Sequence, residues 1–349
     1  MTTYQAKNLL VTGGAGFIGT NFVYYWLAQY PNAKVVVLDA LTYAGNQANL
    51  NPLNDNPNYI FSHGNILDQE LVENLLRQYE INTVVHFAAE SHVDRSIYGP
   101  DAFFKSNIDG THSLLKAAKK VWMNEGHLPT NHRFHHVSTD EVYGTLSDTD
   151  PAFTELTAYA PTSPYAASKA CSDHIVRSYQ HTYGLQISIS NCSNNYGPWQ
   201  YPEKLIPLTI SNLKASKAIP IYGDGLQIRD WLYVDDHNRG IELILNQGRA
   251  GETYNLGGNN EQTNISLVRL LCAAMDEAFP NNAPHERHIT YVNDRPGHDR
   301  RYAVDTTKVT QELGYQPQET YESGIQKTLE WYLSMMGKWQ INASLFGQH

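Results

Sequence analysis

Short apolar runs alternate with longer stretches of helical periodicity along the first half of the chain. Strands are predicted at residues 8–12, 34–38, 59–62, 82–87, 134–137 and 186–190. Between them, apolar residues recur at helical spacing: Phe22 and Leu27; Leu71, Leu75 and Leu76; Phe103, Phe104, Ile108, Leu114 and Leu115; and a further segment from Tyr165. Uninterrupted Val and Ile runs suit parallel strands buried on both faces. Their alternation with helices predicts an α/β fold, a Rossmann-type doubly wound parallel sheet. Asp68 stands where it can cap the second helix. From Asn194 the texture changes to loops rich in Pro, Gly and Tyr. This predicts a cofactor domain over 1–193, with sheet segments returning at 232–257, and a smaller, mixed C-terminal substrate domain over 194–231 and 258–333. A last helix is expected through Ile325, Leu329 and Tyr332, and the weak periodicity of 334–349 reads as a tail.

A length of 349 residues allows one large or two ordinary domains. The net charge of -10 argues against nucleic acid, which is bound through clustered cations. A small anion stays possible, because Arg229, Arg295, Arg300 and Arg301 all fall in the last third. The three cysteines form neither a disulfide framework nor a metal spacing, which suits packing in a reducing compartment. No apolar run matches a membrane span and residues 1–7 lack signal-peptide character, so a cytoplasmic protein is expected. The histidines show no paired ligand spacing, and no metal is expected.

Gly13, Gly16 and Gly19 lie between the first strand and its helix. Glycines there let the turn tighten and a pyrophosphate approach the helix N-terminus. Asp39, twenty residues beyond Gly19, can accept ribose hydroxyls and repel a 2′-phosphate, which favours NAD over NADP. After the fifth strand, Ser138-Thr139-Asp140-Glu141 brings two carboxylates to the strand end, where like charges can hold one of them protonated. Tyr165 and Lys169 share a helix face, a spacing that would let the ammonium lower the phenol pKa and make Tyr165 a base.

Together TGGAGFIG, FAAESHVDRSI, STDEVYG, YAASK, SNNYGP, PEKLIP, RDWLYV and DRPGHDRR resemble the extended short-chain dehydrogenase/reductase superfamily, and within it the dTDP-glucose 4,6-dehydratases. The match runs over about residues 8–333. The resemblance implies a retained NAD, with Tyr165 taking the C4 hydroxyl proton as hydride leaves C4, and Thr139 bonding the C4 oxygen. Glu141 would then remove the C5 proton, Asp140 would protonate the departing C6 hydroxyl, and hydride would return to C6. Tyr165 and Lys169 would also meet the cofactor, with Gly13, Gly16, Phe17, Ile18, Gly19, Asp39, Leu41, Thr42, Asn65, Ile66, Ala88, Ala89, Ser91, Ser106 and Asn194. The nucleotide sugar would meet Ser91, Thr139, Asn194, Lys204, Leu205, Pro220, Tyr222, Arg229, Asn264, Arg295 and His298. A homodimer is implied, and Asn191 stands where the family pattern has Arg. The alternatives are a 4-epimerase, a dehydratase of another nucleotide sugar, and a noncatalytic NAD-binding sensor.

Overall fold

The computed structural model describes residues 4–127, 131–294 and 296–335. Its strands are β1 (Asn8–Thr12), β2 (Lys34–Asp39), β3 (Tyr59–His63), β4 (Thr83–His86), β5 (Arg133–Thr139), β6 (Ile187–Cys192), β7 (Asn194–Tyr196), β8 (Ile219–Tyr222), β9 (Ile228–Tyr233), β10 (Thr253–Leu256), β11 (Glu261–Thr263) and β12 (Ile289–Val292). Seven of them form one parallel sheet in the order β3-β2-β1-β4-β5-β6-β10. The order reverses beside β1, which opens a crevice at the carboxyl ends of β1 and β4.

Helices cover both faces: α1 (Phe17–Gln29), α2 (Gln69–Gln78), α3 (Val93–Tyr98), α4 (Asp101–Phe103), α5 (Thr111–Ala118), α6 (Pro164–Tyr183), α7 (Leu205–Lys214), α8 (Val234–Gln247), α9 (Asn264–Ala278), α10 (Thr307–Leu313) and α11 (Tyr321–Met335). The strand period of two sorts the core between them. Leu9, Val11, Val35 and Val37 pack with Phe22 and Trp26 of α1 and Ile241 and Ile244 of α8. Leu10, Val36, Leu38 and Val84 pack on the opposite face with Leu75 of α2, Leu114 of α5 and Val176 of α6. A third core unites α7, α9 and α11 with β8 and β9. There β11-β9-β7 form a small sheet and β12 pairs with β8.

Local signals set the boundaries that matter for the site. Asp68 accepts a hydrogen bond from the Leu71 amide and caps α2. Ser163 accepts from the Ala166 amide at 3.1 Å, Pro164 occupies the first turn, and Gly184 ends α6 in the left-handed region. That start fixes which α6 residues face β5. Two polar strand ends extend past the predicted apolar runs, because Ser138 pairs with Asn191 and Thr139 with Cys192. Thr139 therefore ends β5, and Asp140 and Glu141 open a 3₁₀ turn, Asp140–Tyr143. The long helix predicted around Phe103 to Ala118 is continuous through π-helical stretches Phe104–Gly110 and Lys119–Asn124. Of the predicted tail, 336–349 lies outside the described residues. Among the described residues no helix is long and apolar enough to cross a membrane, and no cluster of three or more His, Cys, Asp or Glu side chains could hold a metal ion.

Candidate active site

The crevice is lined by the glycine turn, the ends of β2, β4, β5 and β6, the start of α6 and the loop 193–204. Gly13 adopts φ +69, and a Cβ on it would lie 2.6 Å from the Ala88 nitrogen. A Cβ on Gly19 would lie 2.3 Å from the Gly13 carbonyl oxygen. Both positions need glycine, one for its left-handed backbone and both for the close approach. Gly16 caps α1 without a side-chain acceptor, so the first amides of that helix face the crevice uncapped by any side chain. Such a helix end suits a pyrophosphate.

Asp39 is buried and fixed by two backbone donors, Ala15 N–H to Oδ2 at 2.9 Å and Leu41 N–H to Oδ1 at 2.8 Å. Burial raises its pKa and the two amides oppose that shift. Each oxygen keeps acceptor capacity for a ribose hydroxyl. The buried oxygens of Ser138 Oγ and Asn194 Oδ1 at the crevice have no partner within the protein. Donors and acceptors thus lie along the crevice in the order a dinucleotide presents them, and the residues present fit NAD.

At the inner end stand Thr139, Asp140, Glu141, Tyr165 and Lys169, all lining the same crevice. The Thr139 hydroxyl donates to Asp140 Oδ1 at 3.2 Å and accepts from the Glu141 amide at 3.3 Å. The second oxygen of Asp140 is buried without a protein partner. Burial raises the Asp140 pKa well above the carboxylate range, Glu141 and Asp230 add to it, and Arg229 opposes. The shift favours the protonated form of Asp140 over that of an ordinary carboxylate. The pair separates into one buried acid and one half-buried carboxylate.

The relation between Tyr165 and Lys169 differs from the sequence expectation. Burial pushes the Tyr165 hydroxyl well above its ordinary value, with the Glu141 charge adding, and the Thr139 side chain works against the rise. The Lys169 ammonium donates to the Val137 carbonyl at 2.8 Å and lies 3.5 Å from His136 Nε2. The one-turn spacing brings both residues to one face, but the amine spends a bond on β5, and desolvation plus carboxylate charge govern the phenol.

Most of the remaining expected residues line the crevice: Phe17, Ile18, Thr42, Asn65, Ile66, Ala88, Ala89, Ser91, Ser106, Asn194 and Lys204. Leu41 does not line it, although its amide orients Asp39. Leu205, Pro220, Tyr222, Arg229, Asn264 and His298 lie outside the crevice, on α7, β8, β9, the start of α9 and the loop after β12. Tyr222 and His298 meet edge to face at 6.3 Å, and His298 Nδ1 is 2.6 Å from Asp294 Oδ1. Arg229 is buried on β9. It lies over the Tyr302 ring at 4.3 Å and donates to the carbonyls of Ile228 and Asp299. Arg295 lies outside the described residues. Tyr43, Glu90, Cys192, Gln200 and Tyr201 also line the crevice. Only the small residues next to Glu90 carried a sequence signal for any of them. Asn191 is buried and donates to the Thr139 carbonyl at 3.2 Å and to the Tyr159 hydroxyl at 3.3 Å.

A family model described as GDP-mannose 4,6 dehydratase matches residues 10–328. The chain belongs to that family. Within it, the chain is 52% identical over 335 residues to a dTDP-glucose 4,6-dehydratase of Salmonella typhimurium, covering 93% of this chain and 92% of the relative. It is 54% identical over 331 residues to one from Xanthomonas campestris, 93% of each. Among solved structures, a dTDP-glucose 4,6-dehydratase from Streptomyces venezuelae with NAD and TYD bound superposes with TM-score 0.87 at 46% identity, over 95% of this chain and 99% of that one. A UDP-glucose 4-epimerase from Thermotoga maritima with UDP-glucose superposes almost as well, TM-score 0.83 at 28% identity, over 94% and 99%. The fold therefore does not by itself separate elimination from epimerisation.

Proposed function

We propose that the chain is an NAD-dependent dTDP-glucose 4,6-dehydratase, a hydro-lyase that forms dTDP-4-keto-6-deoxyglucose and water. The observation that carries this reading is the buried Asp140, its pKa raised by burial and by Glu141, beside the half-buried Glu141. Elimination of water across C5 and C6 needs an acid and a base within reach of adjacent carbons, and an epimerisation at C4 needs neither. NAD supplies a hydride acceptor at C4 and a hydride donor to C6. Asp39 would hold its adenosine ribose, the amides after Gly13 and Gly16 its pyrophosphate, and Tyr165 and Lys169 its nicotinamide end.

Each remaining step belongs to a side chain of the protein. Tyr165 removes the C4 hydroxyl proton, and Thr139 orients the C4 oxygen with the hydroxyl it shares with Asp140. The ketone acidifies C5, Glu141 takes that proton, Asp140 delivers its own to the C6 hydroxyl as water leaves, and Glu141 returns a proton to C5 once C6 is reduced. Residues 194–231 and 258–333 form the substrate-facing part in this reading, with Lys204, Tyr222, Asn264 and His298 toward the nucleotide. Incubation with dTDP-, UDP-, GDP- and CDP-glucose, followed by alkaline ultraviolet detection of keto sugar, tests it. Product from dTDP-glucose alone or foremost is the expected result.

Asp39 gives a separate prediction. Asp39→Ala should lower NAD retained through purification and raise the NADP share, because one carboxylate both bonds the ribose and repels a phosphate. The NAD to NADP ratio in the denatured eluate measures this, and a ratio unchanged by the substitution contradicts it.

We also propose a homodimer formed along the long helices. Phe104 and Tyr183, on the two helical stretches that pack together there, keep 41% and 45% of their surface exposed. Light scattering behind size exclusion should give the mass of two chains, and charge substitutions at Phe104 and Tyr183 should shift it toward one. A cytoplasmic site of action is supported by three cysteines that form no disulfide.

A further inference from the structure

Beneath the inner end of the crevice lies a buried polar chain that none of the proposed chemical steps uses. Tyr165, Lys169 and Asp173 recur every four residues on α6, so all three face β5. Lys169 is 4% exposed, while Asp173 and His136 of β5 are fully buried. His136 Nε2 stands 3.2 Å from Asp173 Oδ1 and 3.5 Å from the Lys169 ammonium. The other ring nitrogen has no partner in the protein. Burial and the Lys169 charge hold the imidazole pKa down at about 4, so the ring is neutral at working pH. The second oxygen of Asp173 accepts from the Tyr159 hydroxyl at 2.7 Å. That hydroxyl also receives Arg177 at 2.7 Å and Asn191 at 3.3 Å.

A buried carboxylate is expensive to keep ionised unless hydrogen bonds and a nearby cation compensate it. Asp173 has both, and its pKa is lowered despite the burial that opposes this, chiefly by His136, Lys169 and Arg177. The charge therefore persists at neutral pH on the helix face that carries Lys169. We propose that Asp173, acting through His136, is a positioning residue that keeps the Lys169 ammonium charged and fixed beneath Tyr165. The proposal rests on the reading of Lys169 as the partner of Tyr165 and of a cofactor ribose, and it assigns Asp173 no contact with either.

The groups facing this ammonium are few. Asp173 faces it from α6, the Val137 carbonyl and His136 from β5 and Cys192 from β6, with His86 of β4 behind, 5.2 Å from the His136 ring, and Tyr165 lining the same crevice. Burial lowers the Lys169 pKa to about 8, and Asp173 is the first of the groups that raise it. Removing the carboxylate charge must then lower it further. A lysine with a lower pKa loses its proton at lower pH, so the alkaline limb of activity moves down, not up.

The test uses full-length protein carrying [¹³Cε]lysine, with the Lys169 resonance assigned by its loss in Lys169→Arg. The wild-type midpoint is expected near 8. Asp173→Asn should lower it by about one unit or more, which is roughly a fivefold loss of kcat/KM at pH 8, approaching tenfold at higher pH. Asp173→Leu, which asks for no polar partner, should act in the same direction and serves if the Asn variant does not fold. Asp173→Glu, which keeps the charge, should return the midpoint toward wild type. A folded neutral variant whose Lys169 midpoint and alkaline limb both match wild type overturns the proposal. The resonance reports on Lys169 without turnover, so this outcome is distinct from absence of wild-type activity on dTDP-glucose, which would count against the function.

Discussion

Tyr165→Phe is expected to lower the rate of sugar oxidation by about 10²–10⁴-fold, the range for loss of a positioned base. The ring is buried and meets Phe103 edge to face at 6.3 Å, a contact the substitution preserves. The fold and the retained cofactor should therefore survive. The hydroxyl does not titrate by itself near neutral pH, since burial and the Glu141 charge raise it. It can take the C4 proton only with compensating positive charge in the crevice, which is why its loss and not its dilution should set the size of the effect. Absorbance at 340 nm after mixing with dTDP-glucose measures the oxidation directly. A Phe variant that oxidises substrate at the wild-type rate removes Tyr165 from the mechanism.

The carboxylate pair should separate the later steps. Glu141→Gln removes the base at C5 and should slow dehydration by about 10²–10⁴-fold while the 340 nm signal still develops. Asp140→Asn keeps a hydrogen-bond donor of the same shape but no transferable proton. Exchange of the C5 hydrogen with solvent should persist in it while water loss slows over the same range. The pH dependence follows from the direction of the Asp140 shift. A raised pKa keeps the acid protonated as pH climbs, so its loss limits elimination on the alkaline side. In Asp140→Asn that alkaline limb should disappear from the elimination step. Rapid quench with mass analysis of C5 exchange and product measures both rates, and equal loss of exchange in the two variants contradicts the division of labour.

The sheet was legible because its strands are buried on both faces and so read as apolar runs. The same criterion clipped β5 and β6 at the ends that matter. Ser138 and Thr139, and Asn191 and Cys192, are polar or small, yet Ser138 pairs with Asn191 and Thr139 with Cys192 at the carboxyl end of the sheet. Polar side chains persist there because the crevice and the buried network beneath it supply partners. The glycine turn, Asp39, Thr139, Asp140, Glu141, Tyr165 and Lys169 were legible as positions, since local spacing and order along the chain set where they fall.

Their states were not legible. Lys169 was expected to act on Tyr165, but residues distant in sequence govern both. The Val137 carbonyl takes the ammonium, with His136 3.5 Å away, and Glu141, with burial, acts on the phenol. Arg229 was placed by its motif position, whereas its direction depends on Tyr302 and on carbonyls about seventy residues away. Asp173 carried no signal at all, because an Asp in the middle of a helix reads as a solvated face until β5 is seen packed against it.

Dehydration with hydride return to C6 is tested most directly by where label from C4 goes. Substrate deuterated at C4 should give product carrying that deuterium at C6, and wild-type reaction in heavy water should place solvent deuterium at C5. Product or recovered sugar with the label still at C4, or with the label lost to water, would contradict the account.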